Sequence, residues 1–268
     1  MSAEILEGTP VAEAIRAELA AQIEEMQRPP RLVAVMVGDD PGARAYARMQ
    51  ARACEEVAID YALEKLEADI TQSQLLQAIS ELNLDPLVDG IILQLPLPDH
   101  LDAFEAQGSI DPVKDVDGVH PMNLGLVAAE RPILAPCTAQ AVVRLVEESG
   151  AEIRGAEVVM VGRSVIVGKP AALMLLDRGA TVTICRSTTR DLAFHTSRAE
   201  ILVVAIGRAE HVRGDHIKPG AVVIDVGINR VDDPTRKRGY RLVGDVAFDE
   251  VKEVAGWITP VPGGVGPM

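Results

Sequence analysis

The sequence predicts an α/β protein of two halves, each built around a parallel sheet. Three observations lead there. Short aliphatic runs bounded by Gly, Pro or Asp alternate with stretches of helical period along most of the chain. Hydrophobic residues make up 48% of the 268 but aromatics only 3%, so the core is aliphatic. That bias suits sheets covered on both faces. Helical connections between successive strands require those strands to pair in parallel.

The elements follow in order. Thr9 to Gln27 carries Val11, Ala14, Ile15, Leu19 and Ile23 near helical period, with Thr9 as N-cap and Pro10 in the first turn. Arg31 to Gly38 is an aliphatic run closed by Gly and reads as a buried strand. Asp39-Asp40-Pro41-Gly42 is a turn, and Ala43 to Val57 a helix. Tyr61 to Leu66 reads as a strand, Thr71 to Asn83 as a helix capped by Thr71, and Val88 to Leu95 as a strand closed by Pro96 and Pro98. Pro112 to Asn123 is too rich in Asp, Pro and Gly for a core element. Thr138 to Ser149 is a helix capped by Thr138 that links the halves.

The second half is a clearer βαβ series. Strands are expected at Glu157–Val161, Thr181–Cys185, Ile201–Ile206 and Ala221–Val226, with helices at Pro170–Arg178 and Asp191–Arg198. The last ten residues, Thr259 to Met268, hold three Pro and three Gly and form neither helix nor central strand.

Composition excludes several classes. The formal charge of −14 repels phosphate backbones and argues against nucleic acid or an anionic membrane as partner. Cys54, Cys137 and Cys185 are odd in number and widely spaced, so no disulfide framework is expected. No Cys or His pattern has metal-ligand spacing, so no metal is expected. The opening residues lack the basic-then-apolar pattern of a secretory signal, and no apolar run approaches the length of a membrane span. A cytoplasmic location is the expectation.

Val158 to Pro170 reads as a strand, a Gly-bounded loop and a helix opened by Pro. A helix N-terminus after a strand offers free N–H groups and a positive dipole end, which suit a pyrophosphate. The usual dinucleotide fingerprint is G-x-G-x-x-G. Here Gly162, Ser164 and Gly168 form G-x-S-x-x-x-G, which fits either a dinucleotide loop or an ordinary βα turn. The next strand ends in Cys185, then Arg186-Ser187-Thr188, where an NAD enzyme often has Asp or Glu. Arg163, Arg186 and Ser187 suit a 2′-phosphate and favour NADP over NAD. A solvated loop is the plainer reading.

At these residues the chain resembles the methylenetetrahydrofolate dehydrogenase/methenyltetrahydrofolate cyclohydrolase family. The resemblance rests on seven segments in the family's order: 37–46 (VGDDPGARAY), 90–98 (GIILQLPLP), 114–123 (KDVDGVHPMN), 135–138 (APCT), 161–170 (VGRSVIVGKP), 220–230 (GAVVIDVGINR) and 259–268 (TPVPGGVGPM). It implies two α/β domains facing each other across a cleft, the second a Rossmann-type dinucleotide-binding domain. A folate-binding catalytic domain would comprise 1–137 plus 259–268, and an NADP-binding domain 138–258. It implies NADP-dependent oxidation of 5,10-methylenetetrahydrofolate to 5,10-methenyltetrahydrofolate, followed in many members by hydrolysis. It implies a homodimer and a role in one-carbon metabolism.

Carried over position by position, the resemblance makes Tyr46, Gln50, Gln94 and Asp117 the candidate catalytic group. Tyr46 would stack on the folate, Gln94 would lie near the reacting carbon, and Asp117 would grip the pterin edge. Pro262, Gly263 and Gly264 would close over the folate. Gly162, Arg163, Ser164, Gly168, Arg186, Ser187 and Ile228 would contact the cofactor. The chemistry agrees: a carboxylate accepts two adjacent pterin N–H groups, and a flat ring stacks on an aromatic. Without the family, Tyr46 reads equally as a surface ring, and Asp117 as a turn residue.

Three departures stand out. Family members place a lysine four residues after the tyrosine, and here that residue is Gln50. An i,i+4 pair shares one helix face, so position survives while the titratable group does not. Hydride transfer chiefly needs two rings held in register. Water attack needs proton management, and a glutamine amide supplies none near neutral pH. The expectation is a working dehydrogenase with weak or absent cyclohydrolase. Family members also continue past PGGVGPM into a helix, and Ala43 stands where relatives often have Ser. The rival readings are a fully bifunctional enzyme, a shikimate-type dehydrogenase, and a binder that has lost catalysis. His120 is expected to make a structural hydrogen bond.

Overall fold

In the computed structural model, which describes residues 2–236 and 238–268, the chain forms two compact units. One is Glu13–Ala135; the other joins Met1–Ala12 to Pro136–Met268. In chain order the first elements are β1 (Glu4–Ile5), α1 (Gly8–Glu24), β2 (Arg31–Val37), α2 (Pro41–Glu56), β3 (Asp60–Leu66), α3 (Gln72–Leu84), β4 (Gly90–Leu93), α4 (Ala103–Gln107) and α5 (Pro121–Ala128).

The Glu13–Ala135 unit holds a parallel sheet in the order β3-β2-β4. β2 is central, and Val33, Val35 and Val37 on one face pack with Leu75 and Ile79 of α3 and with Ile91 and Leu93 of β4. Each such side chain, fully buried, contributes about 1.5–3 kcal/mol. α3 starts as the sequence predicts: Thr71 and Gln74 form a reciprocal capping box. α2 begins earlier than expected, at Pro41. The Asp40 carboxylate accepts from Ala43 N at 2.8 Å, and proline suits the first helical position.

The loop expected at 112–123 ends sooner. α5 starts at Pro121 because the His120 ring caps it, accepting from Met122 N at 3.0 Å.

The second unit continues with α6 (Cys137–Glu148), β5 (Glu157–Val161), α7 (Gly168–Asp177), β6 (Thr181–Cys185), α8 (Leu192–Thr196), β7 (Ile201–Val204), β8 (Val222–Asp225), β9 (Asn229–Asp232), β10 (Tyr240–Val243), α9 (Phe248–Val251) and β11 (Trp257–Ile258). Its six-stranded sheet runs β1-β11-β8-β7-β5-β6, every pairing parallel. Alternate residues feed two cores: Val158 and Met160 of β5 with Ile201 and Val203 of β7 on one face, Val159 and Val161 with Leu202 and Val204 on the other. This is why these strands read as unbroken aliphatic runs. β9 and β10 form a separate antiparallel hairpin that shows no aliphatic run.

Two expected helix caps are corrected. Thr138 does not cap α6; the helix starts one residue earlier, with Pro136 at the cap and no side-chain bond. Thr9 is not the N-cap of α1, which already begins at Gly8, whose N–H donates to Gly263 O at 2.9 Å. Residues 2–12 and 259–268, expected with the first half, pack in the unit of the six-stranded sheet. β1 pairs with β11 inside the six-stranded sheet, and Thr259 N continues that sheet by donating to Val223 O. Strands of two residues carry no periodicity, so this pairing had no signature in the sequence.

Candidate active site

In the Glu13–Ala135 unit, α2 buries Ala43, Ala47 and Cys54 and leaves Tyr46 53% exposed. An exposed aromatic of that size is available for a flat ligand. Gln50, one turn further along, is half-buried. Gln94 follows directly on β4, where its N–H donates to Val35 O at 2.8 Å and keeps the strand register. Its side chain is 3% exposed and donates through Nε2 to Oε1 of Gln50 at 2.6 Å. The structure therefore brings together two of the four candidate catalytic residues.

Asp117 lies in a loop fixed from three sides. Ile91 N donates to Lys114 O at 2.7 Å and makes an isolated parallel bridge with Asp115, which ties the loop to β4. Gly90 makes room for Val116; a Cβ there would press on its methyl group at 2.6 Å. The Lys114 ammonium donates to the carbonyls of Leu82, Asn83 and Asp85, closing the end of α3. The wholly buried Asp115 accepts from His120 N at 2.8 Å and Asn123 Nδ2 at 2.9 Å, while its Oδ1 has no hydrogen-bond partner among the described residues. Burial, and then the Asp115 charge, push the Asp117 carboxyl up to about 6. His120 makes the structural bonds expected of it: Nε2 donates to Gly108 O at 3.1 Å while Nδ1 accepts.

In the other unit, β5 lies between β6 and β7, so the strand order reverses there. Ligands of open parallel sheets bind at such a point, beyond the carboxyl ends of the strands. Gly162 sits at that end with φ 131°, and the space a Cβ would take is filled by the Ala205 carbonyl at the end of β7. Gly168 opens α7 hard against the Gly162 carbonyl. Both positions require glycine.

Ser164 replaces the middle glycine of the fingerprint with a use for its hydroxyl. Its Oγ accepts from Val167 N at 3.2 Å and Gly168 N at 3.3 Å, shaping the entry to α7. Arg163 is exposed on the loop.

Gly162 N donates to Cys185 O at 3.0 Å, so the loop after β5 runs beside Arg186 and Ser187 after β6. Both are exposed. The Arg186 guanidinium donates through Nε to Thr188 Oγ1 at 2.7 Å, and its backbone N–H to Thr189 Oγ1. No acid follows β6 directly; a cation and three hydroxyls do. That donor set fits a phosphate.

Ile228, 60% exposed, follows β8, and Gly266 lies against it. Gly263 has φ 113°, Gly264 N donates to Pro260 O at 2.8 Å, and Gly8 abuts the Gly264 carbonyl. Sequence reasoning did not find Gly8. Its only signal was a glycine just before a helix start.

The fold and the glycine loop define a Rossmann-type α/β protein with a nucleotide-phosphate cradle. Residues 136–268 match the family model described as tetrahydrofolate dehydrogenase/cyclohydrolase, NAD(P)-binding domain, and residues 6–117 match the catalytic domain of that family. The bifunctional protein FolD of Brevibacillus brevis is 48% identical over 271 residues, covering 100% of this chain and 93% of its own. The structure of the bifunctional FolD enzyme, a methylenetetrahydrofolate dehydrogenase/cyclohydrolase, from Campylobacter jejuni superposes with a TM-score of 0.94 at 40% identity, covering 99% of this chain and 94% of that one. The Trypanosoma brucei enzyme, complexed with NADP cofactor and inhibitor, superposes at 0.93 and 40% identity, covering 100% and 93%. The chain belongs to the tetrahydrofolate dehydrogenase/cyclohydrolase family.

Proposed function

We propose that this protein oxidises 5,10-methylenetetrahydrofolate to 5,10-methenyltetrahydrofolate with NADP, and that it hydrolyses the product weakly or not at all. Family membership, the glycine cradle at the β5 end and the cation and hydroxyls after β6 support the first part. One observation carries the second: where the family has a lysine, Gln50 accepts a hydrogen bond from Gln94 at 2.6 Å.

On this reading Gly162, Arg163, Ser164, Gly168, Arg186, Ser187 and Ile228 hold NADP. Bound NADP supplies the hydride acceptor. Tyr46 stacks on the folate, and Asp117 accepts from the N–H groups of the pterin edge. Pro262, Gly263 and Gly264 present backbone close to the folate plane. Loss of hydride from the methylene carbon leaves a cation stabilised by the neighbouring nitrogen lone pair, so the chain's task is alignment. Hydrolysis of that cation needs a group that moves a proton, and neither amide of the Gln50–Gln94 pair titrates.

NADPH formation with 5,10-methylenetetrahydrofolate tests the first part. Loss of the near-ultraviolet absorbance of methenyltetrahydrofolate, above the uncatalysed rate, tests the second. Full bifunctionality is the second reading, favoured by the name bifunctional protein that relatives carry. Fast enzymatic hydrolysis would establish it. A binder without catalysis gives neither signal. A homodimer is part of the same proposal and is read as a solution mass of twice 28.6 kDa. Among the described residues no helix is long and apolar enough to cross a membrane.

A further inference from the structure

β8 ends in Asp225 and β10 leads into Asp245, and both side chains are buried, 3% and 0% exposed. Neither makes an ion pair among the described residues. Two adjacent buried carboxylates must instead be met by hydrogen-bond donors. Asp225 accepts from Gly227 N at 2.9 Å, Asp245 N at 3.0 Å and Val246 N at 2.9 Å. Asp245 accepts from Ile206 N at 2.6 Å, Gly207 N at 2.9 Å, Arg208 N at 2.8 Å and Asn229 Nδ2 at 2.8 Å. Two glycines leave room for the pair: a Cβ on Gly227 would overlap the Asp245 carboxylate, and one on Gly244 the Asp225 carboxylate.

Three loops converge on this pair. Asp245 gathers three consecutive N–H groups after β7, curling the chain just beyond Ala205, whose carbonyl packs on Gly162. Asp245 also fixes Asn229, the neighbour of Ile228. Asp225 N donates to Thr259 Oγ1 at 2.8 Å, at the start of the loop holding Pro262–Gly264. All three lie at the carboxyl ends of β7, β8 and β11, on the side of β5 away from Arg186. A dinucleotide lying across the switch point would place there the half opposite its 2′-phosphate end.

We propose that Asp245, with Asp225 behind it, is a positioning residue for hydride transfer: it sets the loops that present the nicotinamide half of the cofactor. The inference rests on the cofactor reading above. A carboxylate is needed because four donors require two acceptor oxygens, and an amide offers one.

The experiment is steady-state kinetics of Asp245→Asn and Asn229→Ala with NADP and 5,10-methylenetetrahydrofolate, alongside melting curves and NADP titration. Asp245→Asn is expected to lower kcat by about tenfold or more, with KM for the folate within about twofold. With the methylene carbon deuterated, the isotope effect on kcat should rise, because misaligned hydride transfer becomes rate-limiting. A lost structural bond alone would not move that ratio. Asn229→Ala removes one donor and should lower kcat by about threefold with an unchanged melting temperature; it decides the matter if Asp245→Asn does not fold. Wild-type kcat and isotope effect in the variants, with only the melting temperature lowered, would overturn the inference alone. A wild-type protein that binds no NADP would overturn the cofactor reading and this inference with it.

Discussion

Gln94 donates its side-chain amide to Gln50 Oε1 at 2.6 Å, and Gln94 is 3% exposed. The two amides form a closed, non-titrating pair at the end of β4, on the helix face that also carries Tyr46. A lysine at position 50 would put a proton carrier in the same place. Gln50→Lys is therefore expected to raise methenyltetrahydrofolate hydrolysis by about 10²–10⁴-fold. Hydride transfer should change by no more than about threefold. The two rates are followed separately, by methenyl absorbance and by NADPH.

Asp117 is held up to about 6 by burial and by Asp115. Between its ordinary 3.8 and about 6 the native state keeps a proton that the unfolded chain has lost. Stability therefore falls as pH rises through that window, by about 3 kcal/mol in all. Asp117→Asn removes this slope, so its melting temperature should exceed wild type at pH 7.5 and differ little at pH 4. If the carboxylate grips the pterin, wild-type KM for the folate should rise about tenfold from pH 7 to pH 5. In Asp117→Asn, KM should be high and flat.

The guanidinium of Arg186 stands after β6 where an acid would select NAD. A charge-assisted hydrogen bond is worth about 1.5–3 kcal/mol. Arg186→Ala should raise KM for NADP by about 10- to 100-fold and leave KM for NAD nearly unchanged. Equal effects on both cofactors would count against a 2′-phosphate contact.

Gly162 has φ 131° and its Cβ position is filled by the Ala205 carbonyl. Alanine there is both strained and overpacked, costing about 1–3 kcal/mol. Gly162→Ala should lower the melting temperature by about 2 °C or more and weaken NADP binding, read by differential scanning fluorimetry with and without cofactor. Ser164→Ala leaves Val167 N and Gly168 N without their acceptor and should lower cofactor affinity with a smaller loss of stability.

The aliphatic runs at Arg31–Val37, Glu157–Val161 and Ile201–Val204 were legible because each is buried on both sides, and burial is written directly in residue type. The helices of helical period and the Thr71 cap were legible for the same local reason. The chain of residues by itself thus determined the α/β class, the parallel sheets, the Gly162–Gly168 loop and the basic end of β6. It also carried Gln50, the residue on which the proposal of weak hydrolysis rests.

Tertiary structure alone decided what depends on partners far apart in the chain. β1 and β11 are two residues each, and their pairing moved both chain ends into the six-stranded sheet. Gln50 meets Gln94 across 44 positions, and Asp245 collects N–H groups from 206–208. A hydrogen bond fixes a distance in space and leaves no period in sequence, so such pairs become visible only when the chain has folded.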